Sequence, residues 1–370
     1  MSSSAPVMIY HVPFRLNPEA KSASGIRPVK MRQAFEDIGY RVLEISGTSR
    51  ERRVQMDAIK QQVRDGLVVD FVYSEASTQP TAFTDPYFSL HPFFDNNFLA
   101  WCRRRGMKVG LFYRDIYWQF PEYVKAIGWF YATVLRQFYR VDLLGYRRAV
   151  DTIYLPSMRM AKYITFIPER RCEALPPGSD SVDGKTKAKG LGMFYVGGIG
   201  SYYKLHEAVE AVEQVPGANL TICTRDTEWA NAKDSYADVL GNATTVVHAN
   251  GPELEQFYDK AAMGCLFLEP ITYREFAAPL KLYEYLGHGK PIIATTGTLA
   301  ADFVESNGIG WALPYKADAL AELLTQLKNN PALLAEKTAR ALEVREQHTW
   351  AARARQVRDG LSRSFKQGSK

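Results

Sequence analysis

No stretch of this sequence is long and apolar enough to cross a bilayer. The longest apolar runs, such as Ile127 to Leu135, are broken by polar groups, well short of the roughly 18 residues that a span requires. The start passes from a short Ser-rich lead directly into Val7 to Val12, without the basic segment, long apolar core and small-residue cleavage site of a secretory signal. It reads as a first strand. Four cysteines, Cys102, Cys172, Cys223 and Cys265, stand singly, without the spacing of a zinc site or the density of a disulfide scaffold. Reduced thiols in the cytoplasm are the expectation. No Asp-x-Asp occurs, and no His, Cys and carboxylate cluster has metal-ligand spacing, so no metal and no other cofactor are expected. Tracts rich in Pro, Gly or Gln are absent too, which argues against disorder.

What is present is a soluble-type composition, 46% hydrophobic and 23% charged, over 370 residues. That length exceeds what one core usually serves and points to two domains. The net charge of +6 is modest, but basic residues gather at Arg103 to Arg105, Arg136 to Arg148 and Arg159 to Arg171, all in the first half. No aromatic-basic motif on a recognisable nucleic-acid fold accompanies them, so no nucleic-acid partner is expected.

Strand and helix patterns alternate through the first half. Val7 to Val12, Tyr40 to Ile45, Val68 to Tyr73, Lys108 to Tyr113 and Thr152 to Leu155 read as strands, separated by helical segments such as Arg50 to Arg64 and Asn97 to Arg104. A long amphipathic stretch covers Tyr123 to Val150, and the half closes at Tyr163 to Ile167. The polar run beginning at Pro176-Pro177-Gly178 has the make-up of a connection. The grammar then restarts, with strands at Leu191 to Val196, Asn219 to Cys223, Thr245 to His248, Gly264 to Leu268 and Pro291 to Thr295, and helices including Leu280 to Leu286. The expected organisation is an N-terminal Rossmann-like domain over 1–175, a linker over 176–190, a second Rossmann-like domain over 191–345, and a helix over 346–370 that packs back on the first domain. The fold class is α/β, two Rossmann-like domains facing across a cleft.

The most informative segment is Glu275-Phe-Ala-Ala-Pro-Leu-Lys281-Leu-Tyr-Glu284-Tyr-Leu-Gly-His-Gly289-Lys-Pro. Pro279 suits a first helical turn, leaving the amides of Ala277, Ala278 and Leu280 to face an anion. Lys281 adds a full positive charge beside that dipole. Glu284, three residues on and on the same helix face, can accept hydrogen bonds from the two hydroxyls of a ribose. Diphosphate and ribose together make a nucleotide. The alternative is an exposed intrahelical Lys281–Glu284 pair worth a few tenths of a kcal/mol.

Here the chain resembles the GT-B glycosyltransferases, specifically a bacterial class with a Pro-x-Lys-x-x-Glu-Tyr run in its C-terminal domain. Tyr195-Val196-Gly197-Gly198, Gly251-Pro252 and the terminal turn Asn307 to Trp311 accompany the run in the same order. The resemblance implies a metal-independent transferase taking a sugar from a nucleoside-diphosphate donor, a UDP-sugar, with Lys281 on the diphosphate and Glu284 on the ribose. It further implies that Gly197, Gly198, Tyr202, Lys204, Arg225, Ala277, Ala278, Pro279 and Leu282 complete the donor site.

Two departures stand out. Many relatives have two glutamates with seven residues between them, whereas eight separate Glu275 from Glu284, leaving the role of Glu275 open. The family's phosphate loop carries an Arg that is missing from Gly197-Gly198-Ile199-Gly200-Ser201-Tyr202-Tyr203-Lys204, and its Lys comes one place late. Backbone amides of a glycine nest are the expected substitute.

In the first half, the loop Ser22 to Pro28, with Gly25 and Arg27, resembles the family's flexible loop at the acceptor; an ordinary turn and N-cap is the alternative. Asp115 follows the strand Lys108 to Tyr113, where a carboxylate can take a proton from an acceptor hydroxyl or hold the acceptor. A structural Arg114–Asp115 pair is its bland reading. His91, ahead of Pro92, is a weaker catalytic candidate. Tyr123 to Arg148 mixes aromatic and basic residues as interfacial helices do, or covers a sheet with one face and meets water with the other. The acceptor implied is a saccharide or lipid-linked saccharide of a bacterial envelope or exopolysaccharide, the location cytoplasmic, at the inner face of the membrane if the helix is interfacial. Nucleotide-sugar 2-epimerases share the architecture, and a non-catalytic saccharide- or partner-binding protein is the third reading.

Overall fold

The computed structural model describes residues 5–85, 91, 93–183, 188, 190–200 and 202–362. The chain divides into two units, Met1–Pro176 with Trp350–Lys370, and Pro177–Thr349. Part of the expected linker, 184–187 and 189, lies outside the described residues.

In the first unit the chain runs β1 (Val7–His11), α1 (Ala23–Asp37), β2 (Arg41–Ile45), α2 (Ser49–Arg64), β3 (Phe71–Glu75), α3 (Phe94–Arg104), β4 (Lys108–Phe112), α4 (Pro121–Ile127), α5 (Trp129–Ala149), β5 (Thr152–Leu155) and β6 (Cys172–Ala174). All six strands are parallel, in the order β2-β1-β3-β4-β5-β6. The sheet closes with the short β6 rather than at Tyr163 to Ile167, which forms no strand and follows the 3₁₀ turn Met158–Tyr163. The amphipathic stretch is two helices rather than one, because Gly128 adopts φ 86° between α4 and α5. A left-handed residue there turns the chain out of the first helix before the second begins.

The second unit continues with β7 (Leu191–Val196), α6 (His206–Gln214), β8 (Ala218–Cys223), α7 (Asp226–Ala232), β9 (Thr244–Val247), α8 (Glu255–Lys260), β10 (Met263–Leu266), α9 (Leu280–Gly287), β11 (Ile292–Thr295), α10 (Leu299–Asn307), β12 (Gly310–Leu313), α11 (Ala317–Asn329) and α12 (Pro331–Val344). Its parallel sheet has the order β12-β11-β10-β7-β8-β9. Asn307 to Trp311, expected as a terminal turn, instead ends α10 with Gly308 at φ 68° and starts β12. A Cβ at Gly310 would overlap the backbone of Ile292, so glycine here serves close strand pairing. The helical tail breaks at Arg345–His348, and its last piece, α13 (Trp350–Leu361), belongs to the first unit. There Gln356 donates to the Ala174 carbonyl and Ser362 to Asp70.

Buried inside the first unit, Asp142 on α5 accepts the Thr81 N–H at 2.8 Å, and burial pushes its carboxyl up to about 7. The unfolded carboxyl titrates near 3.9. The neutral form therefore favours folding, and that contribution is whole below about pH 4 and lost as pH rises to about 7. Asp142→Asn keeps an oxygen for Thr81 and cannot ionise. Melting curves should show the substituted chain gaining stability over the native one between pH 5 and pH 8; an equal gap at both pH values would contradict the assignment.

Candidate functional site

In open parallel sheets ligands collect beyond the carboxyl ends of the strands, where the strand order reverses. In the second unit that point lies between β7 and β10, which pair at Met193–Met263 and Phe194–Gly264. Two loops leave it: Gly197–Gly200 after β7, and the segment after β10 that leads through the 3₁₀ turn Thr272–Glu275 to α9. Gly264 lets α9 dock here, since a Cβ would run into the Tyr285 ring. Tyr285 in turn accepts the Val196 N–H at 3.2 Å.

Lys281 stands in the first turn of α9, one residue past Leu280, with Pro279 as the N-cap rather than the first helical residue. Its Nζ is buried and, among the described residues, has no hydrogen-bond partner. It lies 4.0 Å from the Tyr195 ring centroid and 5.1 Å from that of Tyr203. A Cβ at Gly197 would come within 2.5 Å of this nitrogen, so the glycine, at φ 137°, is what leaves the ammonium its space. Burial first, and Arg274 second, push the ammonium down to about 7. A cation at a helix N-terminus also opposes the helix dipole. Both penalties disappear when an anion arrives beside the ammonium.

Glu284 sits one turn further on, accepting a long 3.4 Å hydrogen bond from Tyr258. Burial raises its carboxyl while Lys281 and His288 pull it down. His288 stacks on Tyr258 at 3.9 Å and meets Glu255 at 3.0 Å. The pair is not an exposed one, since the Lys281 ammonium is buried and Glu284 is half-buried.

Other expected donor residues fare differently. Ala277 gives its N–H to the Tyr273 carbonyl, so that amide does not face an anion. Leu282 is completely buried in the core of this unit, and its N–H returns to Pro279. Two amides of the glycine nest are taken, Gly197 N–H by the Cys223 carbonyl and Ile199 N–H by Glu228, while Tyr203 N–H bonds to the Gly200 carbonyl. Ser201 lies outside the described residues. Gly198 backs onto Tyr203 and Glu228. Lys204 pairs with Glu269 at 2.8 Å, beside a cavity of about 750 Å³ on the α6 and α7 side of the loop. Arg225 pairs with Glu228 at 2.7 Å and is largely exposed.

Two residues that the sequence reading missed organise this loop. Arg274 donates to the carbonyls of Tyr202 and Glu269, with its guanidinium 5.3 Å from the Tyr203 ring centroid. It brings a second cation to the loop that lacks its own arginine. Glu228 accepts from both Ile199 N–H and Thr224.

In the first unit the order reverses between β1 and β3. Gly25 and Arg27, expected in a flexible loop, lie in the first turns of α1. Pro28 inside that helix leaves the Ser24 carbonyl without its usual donor, and Arg114 supplies one. Arg114 also meets Glu75 at 3.1 Å and Ala76 O at 2.9 Å, not Asp115 as the bland reading of Asp115 had it. Arg27 is buried over the Phe112 ring at 3.5 Å, with Glu75 at 3.4 Å. Asp115, three residues past β4, accepts the Tyr117 N–H at 2.8 Å and is half-buried. His91 is half-buried, its ring 6.2 Å from Phe94; Pro92 lies outside the described residues. Nearby, Ser74, His11 and Asp95 are linked at 2.8 and 2.9 Å, but all three are buried and Arg52 holds the carboxylate at 2.9 and 3.0 Å. A nucleophile needs access, so this is a structural tie.

A comparison with curated proteins gives no match. Solved structures do match over nearly the whole chain. The Anabaena protein HepE, crystallised with UDP and glucose, aligns at TM-score 0.62 and 12% identity over 96% of this chain and 99% of its own. Sucrose-phosphate synthase from Thermosynechococcus elongatus aligns at 0.64 and 14% over 95% and 97%. WaaG, a glycosyltransferase involved in lipopolysaccharide biosynthesis, aligns at 0.56 and 12% over 95% and 99%. Residues 204–359 match the family model described as glycosyl transferase-like, and the architecture of the chain is that of the GT-B glycosyltransferases.

Proposed function

We propose that the protein is a glycosyltransferase moving a sugar from a UDP-sugar to a saccharide or lipid-linked saccharide acceptor of a bacterial envelope or exopolysaccharide. The buried, unpartnered ammonium of Lys281 at the switch point carries this reading. The choice of UDP leans on HepE, crystallised with UDP and with UDP-glucose, and the envelope setting on WaaG.

The acceptor oxygen attacks the anomeric carbon, and the bond from that carbon to the diphosphate oxygen breaks with its electrons going to UDP. Lys281 and the amide end of α9 stabilise the charge developing on the leaving diphosphate. Glu284 fixes the ribose, and Asp115 takes the acceptor proton. The tests are product identity and metal dependence. Incubation with UDP-sugars and acceptors should release UDP in step with glycosylated product; a free epimerised nucleotide sugar would indicate a 2-epimerase, and binding without turnover a non-catalytic protein.

Leaving-group assistance by Lys281 needs no divalent ion, so transfer should persist in excess EDTA. Loss of transfer that Mg²⁺ or Mn²⁺ restores would overturn the metal-free mechanism.

No helix among the described residues is long and apolar enough to cross a membrane. The first unit nevertheless offers α5, where Trp129, Phe130, Tyr131, Val134 and Leu144 are exposed while Tyr139, Leu143 and Tyr146 are buried. The helix covers its own unit with one face and presents an apolar stripe with the other. With Arg140, Arg147 and Arg148 exposed near that stripe, it fits peripheral contact with the inner face of a bilayer.

A further inference from the structure

A cavity of about 700 Å³ opens between α3 and α5 of the first unit. Phe93, Ala100, Val141 and Leu144 give it apolar walls, and Arg103, Arg104 and Arg148 line it as well. Arg103 is held by Asp151 at 3.1 Å and by the Arg148 carbonyl at 3.0 Å. Among the described residues the guanidinium groups of Arg104 and Arg148 make no ion pair or hydrogen bond, and both side chains are exposed. The cavity therefore presents cationic charge that the protein itself leaves uncompensated.

Asn96, also on its wall, is 5% exposed, and both the Nδ2 and the Oδ1 of its amide are buried, without partners among the described residues. Leaving such a group unsatisfied costs about 1–3 kcal/mol. Gly145 of α5 makes room for it, since a Cβ there would overlap the amide. The walls continue into the exposed face of α5, where exposed Phe130, Val134 and Leu144 and half-buried Val141 recur at helical spacing.

We propose that this cavity is a headgroup site for an anionic phospholipid. The phosphate lies against Arg104 and Arg148, headgroup oxygens take up the Asn96 amide, and the acyl chains lie along the α5 stripe within the bilayer. The size fits one headgroup with the start of its chains. Charge complementarity selects an anionic lipid over a neutral one, and the apolar wall selects a lipid over a free phosphate. The inference rests on the membrane contact proposed above and is independent of the UDP reading.

Co-sedimentation of the full chain with phosphatidylcholine vesicles, and with vesicles also containing phosphatidylglycerol, is the experiment. The native protein should bind the mixed vesicles preferentially. Arg104→Gln and Arg148→Gln should each weaken that binding about fivefold, Leu144→Glu should abolish it, and Asn96→Leu should remove the preference for phosphatidylglycerol while leaving the melting temperature equal or higher. Calorimetric UDP binding should be unchanged in all four, so loss of vesicle binding is separable from failure of the donor site. Equal binding to both vesicle types, or a preference that survives Asn96→Leu and both arginine changes, would overturn the headgroup site. Uptake of inorganic phosphate by a protein that ignores vesicles would overturn its lipid character.

Discussion

Asp115→Asn should lower turnover by about a hundredfold to ten-thousandfold, the usual share of a general base, while sparing both fold and donor binding. The contacts explain why the substitution is clean. Asp115 Oδ1 accepts the Tyr117 N–H that opens the 3₁₀ turn Tyr117–Gln119, and an asparagine keeps that carbonyl oxygen while losing the ability to take a proton. Its neighbour Arg114 is committed to Glu75, Ala76 and Ser24, so no Arg114–Asp115 pair is broken. Melting and UDP titration should therefore match the native chain. The anomeric configuration of the product, read by NMR, then separates roles: a base on the acceptor side goes with inversion, an acceptor clamp is compatible with retention. Full activity in the variant, or collapse of the fold, would remove Asp115 from the chemistry.

Lys281→Met should move two readouts in opposite directions. The native ammonium is buried without a partner and titrates at about 7, against about 10.4 in an unfolded chain. Below about pH 7 both states carry the proton, so the cost of burying the charge is fully present. Between about 7 and 10.4 the folded chain sheds the proton and the unfolded chain keeps it, so stability rises with pH. The methionine removes the cost, and the unliganded variant should melt higher than the native protein at pH 6 and lose that advantage by pH 10. UDP affinity should show the reverse pattern. It needs the protonated ammonium, so native affinity should fall by up to tenfold per pH unit above about 7, and the variant should bind weakly at every pH. A variant that melts lower at pH 6 and binds UDP normally would make Lys281 a structural residue.

The pattern of what was legible follows from chain distance. Alternating strand and helix patterns gave both sheets, because burial on both faces of a parallel strand leaves a short apolar run that local spacing reveals. Lys281 and Glu284 were readable for the same local reason, sharing one helix turn after Pro279. Arg274 and Glu228 were not, because each reaches the glycine loop only through folding, across 72 residues to Tyr202 and 29 to Ile199. Two amides of the glycine loop, those of Gly197 and Ile199, bond to Cys223 and Glu228, partners invisible in the loop itself. Gly25 and Arg27 read as a loop by resemblance but lie inside α1: Pro28 normally argues against helix, and Arg114, 90 residues from Ser24, supplies the donor that Pro28 lacks. The three residues of β6 are too few for a period to show, and Gly310 makes the start of β12 read locally as a turn.

Calorimetric titration of UDP into the native protein, Lys281→Ala and Glu284→Ala near pH 6.5 tests the central claim most directly. Native binding with affinity weakened by about 1–3 kcal/mol in each variant, the cost of losing hydrogen bonds to charged groups, is the result expected if α9 holds the diphosphate and the ribose. No UDP binding by the native chain, or the same affinity in all three proteins, would contradict it.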